Sequence, residues 1–257
     1  MPELPEVETI VRDLRPRLVG EPLLAVEAHD PSLAPRLSPL GLPAVVMELR
    51  RRGKYILFQF ADRLLVIHLR MSGRLEWGRK LPADRVRLSF RFPTGTVYLV
   101  DRRRLAQVEV MEHFERVLGP EPLGDLGFLH FATRNSRAPI KAWLLDQRNI
   151  AGIGNIYAAE ILFRAGIDPR RPAASLAEAE VERLRIAIPE VLTEAIAAMG
   201  TTLTDATWRG PKGELGTFGV RLSVYGRAGE PCPVCNTPIQ RVEIGGRGTY
   251  FCPTCQR

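Results

Sequence analysis

Two Cys-x-x-Cys knuckles constrain this chain more sharply than anything else in it. Cys232-Pro233-Val234-Cys235 and Cys252-Pro253-Thr254-Cys255 stand 16 residues apart and hold all four cysteines of the 257-residue chain. Two such pairs bring four thiolates to the corners of a tetrahedron, the geometry of an all-cysteine zinc site. Cysteines clustered in this way in a chain with no visible export signal argue for metal over disulfides. Between the knuckles, residues 239–244 and 249–251 alternate as strands around Gly245-Gly246-Arg247-Gly248. The segment reads as a zinc ribbon with Arg247 at its turn. All four cysteines are needed as ligands, so a single structural Zn2+ is expected, with no open catalytic position.

The other end of the chain, Met1-Pro2-Glu3-Leu4-Pro5-Glu6, carries different chemistry. Pro2 is small enough for Met1 to be removed, which leaves a secondary amine. An α-amino group has a pKa of roughly 7.7–8.0, so part of it is neutral near pH 7 and nucleophilic. Attack on a carbonyl-type carbon by a secondary amine gives a cationic iminium, an electron sink. Pro5 suits a first helical turn. Val7, Ile10, Val11, Leu14 and Leu18 then follow at spacings of three and four, one stripe of an amphipathic helix. The amine therefore sits at the positive end of a helix dipole, which disfavours its protonated form. Glu3, Glu6 and Glu8 place carboxylates nearby that can move protons. Acidic residues and proline are also ordinary at helix starts, and on this stretch alone both readings stand.

The formal charge of +7 points to an anionic polymer, most often nucleic acid, as partner. Only four of the 36 basic residues are lysines: Lys54, Lys80, Lys141 and Lys212. Arginine cannot lose its proton, so a chain that uses it nearly everywhere can keep lysine where a titratable amine is needed. This directs attention to Lys54. No apolar run approaches the roughly 20 residues that span a bilayer. A cytoplasmic protein with no membrane association is expected.

Along the chain, Pro- and Leu-rich turns follow the first helix to about residue 43. Residues 44–49, 55–60, 64–69, 86–92, 97–100 and 105–111 then read as short strands separated by turn signals, the pattern of a sandwich or barrel. Met71 lies between Arg70 and Arg74 in a loop or strand end. Gly119-Pro120-Glu121-Pro122-Leu123-Gly124-Asp125 is the clearest domain boundary. Beyond it the spacing predicts helices over 139–147 and 156–164. The intervening turn, ending Gly152-Ile153-Gly154-Asn155, can present backbone N–H groups to a phosphate, or can be a plain helical corner. Ser175-Leu176-Ala177-Glu178 predicts a capping box for a long helix, which Pro189 kinks or divides. Residues 201–222 are glycine-rich and aperiodic, a loop of the kind that serves as a lid.

In combination these segments resemble the formamidopyrimidine-DNA glycosylase family of bacterial base-excision repair. The resemblance rests on the N-terminal Pro-Glu-Leu-Pro-Glu-Val-Glu, Arg-Arg-Gly-Lys-Tyr at 51–55, Gly-Ile-Gly-Asn-Ile-Tyr-Ala at 152–158, Val-Tyr-Gly-Arg at 224–227 and the ribbon, in the family's order and over essentially the whole chain. It implies an α+β multidomain protein. An N-terminal β-sandwich with a flanking helix would occupy residues 1–118. A helix–two-turns–helix domain with a lesion-capping loop at about 208–219 would occupy 119–222, and the zinc finger 223–257. Damaged double-stranded DNA would cross a cleft between the domains, with the damaged purine flipped out of the stack so that the sugar C1′ becomes accessible. The implied protein is a monomer without organic cofactor, cytoplasmic and held at the bacterial nucleoid by DNA.

The resemblance also implies roles. Pro2 attacks C1′ and expels the base, Glu3 transfers protons, and Glu6 is a second active-site carboxylate. Lys54, on the strand after the Arg-Arg-Gly turn, contacts phosphate near the lesion and assists the chemistry. Successive β- and δ-eliminations then leave a one-nucleotide gap. Asn155 and Arg247 bind the phosphates flanking the lesion, Tyr225 joins them, and Arg137 adds a DNA contact. Met71, Arg103 and Leu105 fill the gap left by the flipped base, with Arg103 on the opposite base. Two departures fall on DNA contacts. Leu105 stands where the family usually has a wedge phenylalanine, and Ala83 where a phosphate-contacting histidine is expected. Two other readings are an enzyme of the endonuclease VIII type for oxidised pyrimidines, against which Leu4 argues, and a non-catalytic lesion-binding relative, against which intact Pro2, Glu3 and Lys54 argue.

Overall fold

The structure is a computed structural model that describes residues 2–78, 85–203 and 208–257. Ala83 lies outside the described residues. The chain divides into two compact units: Met1–Arg116 with Ala198–Gly219, and Val117–Ala197 with Val220–Arg257. No helix among the described residues is long and apolar enough to cross a membrane.

The first unit is a sandwich of two four-stranded antiparallel sheets. One runs in the order β10 (Gln107–Met111), β6 (Leu64–His68), β5 (Tyr55–Gln59), β4 (Glu48–Arg52). The other runs β2 (Ala25–Ala28), β8 (Val86–Phe92), β9 (Gly95–Val100), β7 (Arg74–Trp77). Period-two alternation points Ile56, Phe58, Leu65 and Ile67 of one sheet at Leu75, Leu88, Phe90, Val97 and Leu99 of the other. The Phe58 and Phe90 rings stack 6.3 Å apart across this interior. Helix α1 (Leu4–Leu18) lays its predicted stripe on the same core, and Val7, Ile10, Val11, Leu14 and Leu18 are fully buried. Each such side chain contributes about 1.5–3 kcal/mol relative to exposure, enough to fix the helix and so the residues ahead of it.

Sequence patterning misses some elements here. The supposed turns before residue 43 include β1 (Pro22–Leu23), which pairs with β3 (Ala44–Val45), as well as β2 and a single helical turn, α2 (Ala34–Leu37). Strand β7 escapes because only Leu75 and Trp77 alternate with Arg74 and Glu76, and the two charges pair with each other at 2.5 Å.

The second unit is helical with a terminal ribbon. It comprises α3 (Leu129–Ala132), α4 (Ile140–Leu145), α5 (Asn155–Ala165) and α6 (Glu178–Ala197), then the hairpin β11 (Gln240–Ile244) and β12 (Arg247–Phe251). Gln147 ties the corner between α4 and α5: its Nε2 donates to the Leu145 and Ile153 carbonyls and its Oε1 accepts the Gly152 N–H. The predicted capping box is displaced by two residues. Ser175 Oγ donates to Pro172 O within a preceding 3-10 turn, while Glu180 Oε2 accepts the Ala177 N–H at the true helix start. Pro189 does not divide α6, which runs through it.

Candidate active site and nucleic-acid contacts

Pro2 is buried immediately ahead of α1. Glu3 is the N-cap and forms a reciprocal capping box with Glu6, whose Oε2 accepts the Glu3 N–H at 2.8 Å. Both carboxylates are only 1% exposed.

Lys54 is not on a strand. Arg52 pairs with Tyr55, so Gly53-Lys54 is the two-residue loop of the β4–β5 hairpin, with Gly53 at φ +57°. Arg51 supports this loop by donating to Gly53 O at 3.0 Å and to Glu8 on α1 at 2.9 Å. Burial lifts the Glu8 carboxyl, but the Arg12 and Arg51 guanidiniums outweigh burial and leave it below the usual range. Glu8 thus joins the first helix to the hairpin that carries Lys54.

His68, at the end of β6, is a residue that the sequence reading passes over. It stands edge-on to Tyr55 with ring centroids 4.7 Å apart. Burial pushes its pKa down to about 4, helped by the charges of Arg70 and Lys54. Its Nδ1 accepts the Arg70 N–H at 3.0 Å, so the neutral ring carries its proton on Nε2 and offers a donor in the neighbourhood of Lys54. The available signal is a histidine that ends a strand one residue from a charged loop.

Met71 and Leu105 sit at matching places on two loops. Each is exposed, at 45% and 38%. Each directly follows an arginine in the left-handed region, Arg70 and Arg104, both at φ 54°. Leu105 lies ahead of its strand, which begins at Gln107 rather than at 105 as predicted. Asp101, 2% exposed, organises both loops. Its Oδ1 accepts Ser72 Oγ–H at 2.6 Å and the Arg103 N–H at 3.2 Å, and its Oδ2 accepts the Ala106 N–H at 2.7 Å. Behind it, buried Arg87 lies 3.6 Å from Asp101 and 2.8 Å from Asp30, and donates to Ala106 O. The Ser32 hydroxyl and Arg87 hold the Asp30 carboxyl down at about 2 against the effect of burial. Left-handed geometry at non-glycine residues persists only where surroundings over-determine it, and such strain clusters at functional sites. The exposed Arg103 reaches toward Met71, its guanidinium 3.9 Å from the sulfur.

The remaining predicted contacts lie in the second unit. Asn155 is the first residue of α5. Its Nδ2 donates to Gly248 O at 3.2 Å, and its buried Oδ1 has no hydrogen-bond partner among the described residues. Lys141, fully buried, donates to the same carbonyl at 3.1 Å and to Thr249 Oγ1 at 3.0 Å. The start of β12 is thereby fixed to α4 and α5. Arg247 opens that strand opposite Ile244, one place beyond the Gly245-Gly246 turn, and is exposed. Tyr225 stands edge-on to Tyr250, and its N–H, with those of Ser223 and Val224, donates to Glu160 at 2.8–3.1 Å. Burial raises the Glu160 pKa in spite of these three donors. Arg137 is exposed in the chain leading into α4.

The four cysteines converge as predicted, with ligand atoms within 4.8 Å of one another. The Cys232–Cys255 and Cys235–Cys252 sulfurs lie 3.9 and 3.4 Å apart. Zn–S bonds of about 2.3 Å place tetrahedral sulfurs about 3.8 Å apart, so these residues fit the ion. Gln256 supports the second knuckle by accepting the Cys252 N–H and donating to Ile167 O.

Three stretches of the chain match known protein families. Residues 1–108 match the formamidopyrimidine-DNA glycosylase N-terminal domain, 118–207 the H2TH domain of the same glycosylase, and 229–257 the zinc finger found in FPG and IleRS. The formamidopyrimidine-DNA glycosylase of Thermus thermophilus is 44% identical over 270 residues, covering 100% of this chain and 98% of the relative. That of Paracoccus denitrificans is 43% identical over 283 residues, with both chains fully covered. The crystal structure of the MutM (FPG) protein from Thermus thermophilus superposes with TM-score 0.89 at 43% identity over 99% of this chain and 98% of that one. The Lactococcus lactis Fpg in complex with DNA containing an abasic site gives TM-score 0.91 at 32% identity, with 99% of each chain covered.

Proposed function

Because the chain belongs to the formamidopyrimidine-DNA glycosylase family, we propose that it excises oxidised purines from duplex DNA and then cleaves the strand as a lyase. With Met1 removed, the Pro2 nitrogen attacks C1′ of a flipped nucleotide. The glycosidic bond breaks, the base departs with a proton, and the sugar opens to an iminium on Pro2. Glu3 moves the protons. The iminium acidifies the adjacent sugar carbon, so β-elimination expels the 3′ phosphate, δ-elimination the 5′ phosphate, and hydrolysis frees the proline. Lys54, Asn155 and Arg247 bind phosphates about the lesion, with Tyr225 and Arg137 beside them. Neutral His68 adds an N–H donor that needs no protonation. Met71, Arg103 and Leu105 fill the vacated stack. Leucine can wedge but has no π-face, and base–aromatic stacking is worth roughly 1–3 kcal/mol. The wedge therefore holds its kink less firmly than a phenylalanine. One structural zinc holds the ribbon that bears Arg247.

The observation that carries this reading is a buried proline at a helix N-terminus beside two carboxylates, each 1% exposed. Its test is borohydride trapping on duplexes carrying 8-oxoguanine, a formamidopyrimidine, thymine glycol or an abasic site. The expected result is a covalent adduct that mass spectrometry places on Pro2, faster on the purine lesions than on thymine glycol. An adduct that persists in Pro2→Gly, or that maps to Lys54, overturns the assignment.

A further inference from the structure

Glu6 holds two distant pieces of backbone at once. Its Oε2 accepts the Glu3 N–H at 2.8 Å, and its Oε1 accepts the Thr201 N–H, 195 residues away, at 2.7 Å. Gly200 lies flat against the same carboxylate at φ +82°, and a Cβ there would stand 2.6 Å from Oε1 and 2.8 Å from Cγ. Only glycine fits, both for the backbone angle and for the approach.

Gly200 and Thr201 belong to the neck of the 198–219 loop, and the neck is zipped. Thr201 bridges Thr217, the Thr217 N–H donates to Ala198 O at 2.8 Å, and the Phe218 N–H donates to Gly200 O at 3.1 Å. Gly216 leaves no room for a side chain, since a Cβ would sit 2.4 Å from Gly200 O. The buried Trp208 joins the core of the first unit and donates its indole N–H to Met199 O at 3.0 Å. The neck therefore moves as one piece, and the nucleophile-bearing turn touches it through Glu6.

We propose that Glu6 is a positioning residue that couples the seating of the loop neck, residues 198–201 and 216–218, to the placement of Pro2, rather than a proton carrier. The proposal rests on the reading of Pro2 as nucleophile. Hydrogen bonds from N–H groups to a carboxylate are about twice as strong as neutral ones, and a buried carboxylate that loses a donor is left poorly compensated. Loss of the Thr201 contact thus destabilises the carboxylate that also holds Glu3. By linkage the coupling runs both ways: a base that seats the loop also steadies the catalytic turn, and occupation of Pro2 also steadies the loop.

The test compares wild type, Glu6→Gln and Gly200→Ala by hydrogen exchange of peptides within 208–219, free and after borohydride trapping on abasic duplex. It also measures base excision against pH. In wild type, trapping is expected to slow loop exchange roughly tenfold. Both variants should lose most of that protection and excise more slowly, while the shape of their pH profiles stays that of wild type. Gly200→Ala keeps the carboxylate, so its agreement with Glu6→Gln separates a strut from a titrating group. A displaced limb in the Glu6→Gln profile, or wild-type loop protection in Gly200→Ala, overturns the proposal. If either variant is destabilised, exchange in the 48–68 strands shows it, and loop release without strand release is still required. Mapping the adduct in the same samples separates failure of the Pro2 assignment from failure of the coupling.

Discussion

Buried Asp and Arg side chains set inside an apolar sandwich hold the exposed loops of the first unit, whereas four clustered cysteines and one buried lysine hold the ribbon of the second. Asp101, Arg87 and Asp30 lie within a sandwich packed with leucine, isoleucine, valine and phenylalanine. Among the described residues, the ribbon's cluster has only Ala159, Val224, Ile239 and two of the cysteines as buried members. A large core can absorb the desolvation of a carboxylate whose lone pairs are satisfied. A small one cannot supply stability of its own and needs a cross-link. The same task, holding an exposed cation or apolar tip in place, is thus met by whichever restraint the local core size permits.

The harshest way to break this contrast is to remove the metal. Structural zinc contributes on the order of 10–16 kcal/mol of apparent binding free energy, far more than this core. Chelation, or Cys252→Ser, is expected to bring exchange in peptides 229–257 to unfolded rates. It should also lower affinity for duplex DNA at least a hundredfold while the 48–68 strands keep their protection. Simultaneous opening of both regions would show that the ribbon is not stabilised separately.

Asp101→Ala probes the other side of the contrast. It strips acceptors from Ser72, Arg103 and Ala106 and leaves Arg87 its ion pair with Asp30 and its bond to Ala106 O. Removal of one member of a buried charged set costs about 3–5 kcal/mol. Urea unfolding should show that loss. Discrimination of the base opposite the lesion should fall, while cleavage of abasic single strands changes little. Retained discrimination would mean that the loops do not depend on Asp101.

Acid gives the smallest effect and sharpens the contrast by its sign. Asp30 has a folded pKa near 2, below its unfolded value, so its contribution is present above about pH 4 and is lost as pH falls toward 2. His68, with a folded pKa near 4, stays neutral where the unfolded chain takes up a proton, so stability also declines as pH falls from about 6.5 to 4. Glu160 acts in the opposite sense: its raised pKa contributes stability at low pH that is lost as pH rises through the folded value. Because His68 is only partly buried, its share after solvent screening is about 1 kcal/mol. His68→Gln should flatten the dependence of the urea midpoint between pH 4 and 6.5 by that amount, and an unchanged slope would remove His68 from the account.

Much of this is legible in the sequence because it is local. Cysteine spacing sets the metal site, period-two runs set β5, β6 and β8, and the α1 stripe sets the helix behind Pro2. Departures from expectation arise where distant parts decide. The bond from the Thr201 N–H to Glu6, 195 residues away, leaves no trace in the sequence. Ser175 reads as a cap until Pro172 takes its hydroxyl. Leu105 reads as the first residue of a strand until Asp101 binds the Ala106 N–H and turns the chain before Gln107. Lys141 stands out in the sequence only as one of four lysines, and the β12 hairpin shows what its buried ammonium holds.

The left-handed arginines set a direction for any effort to harden this protein. A non-glycine residue in that conformation costs about 1–2 kcal/mol, which Arg70→Gly and Arg104→Gly would recover in the folded state. A library selected for heat tolerance alone should therefore enrich glycine or asparagine at both positions. Those clones would carry the two exposed apolar tips on looser loops with fewer charges beside them. Selection for survival and selection for repair would then pull the same two codons in opposite directions.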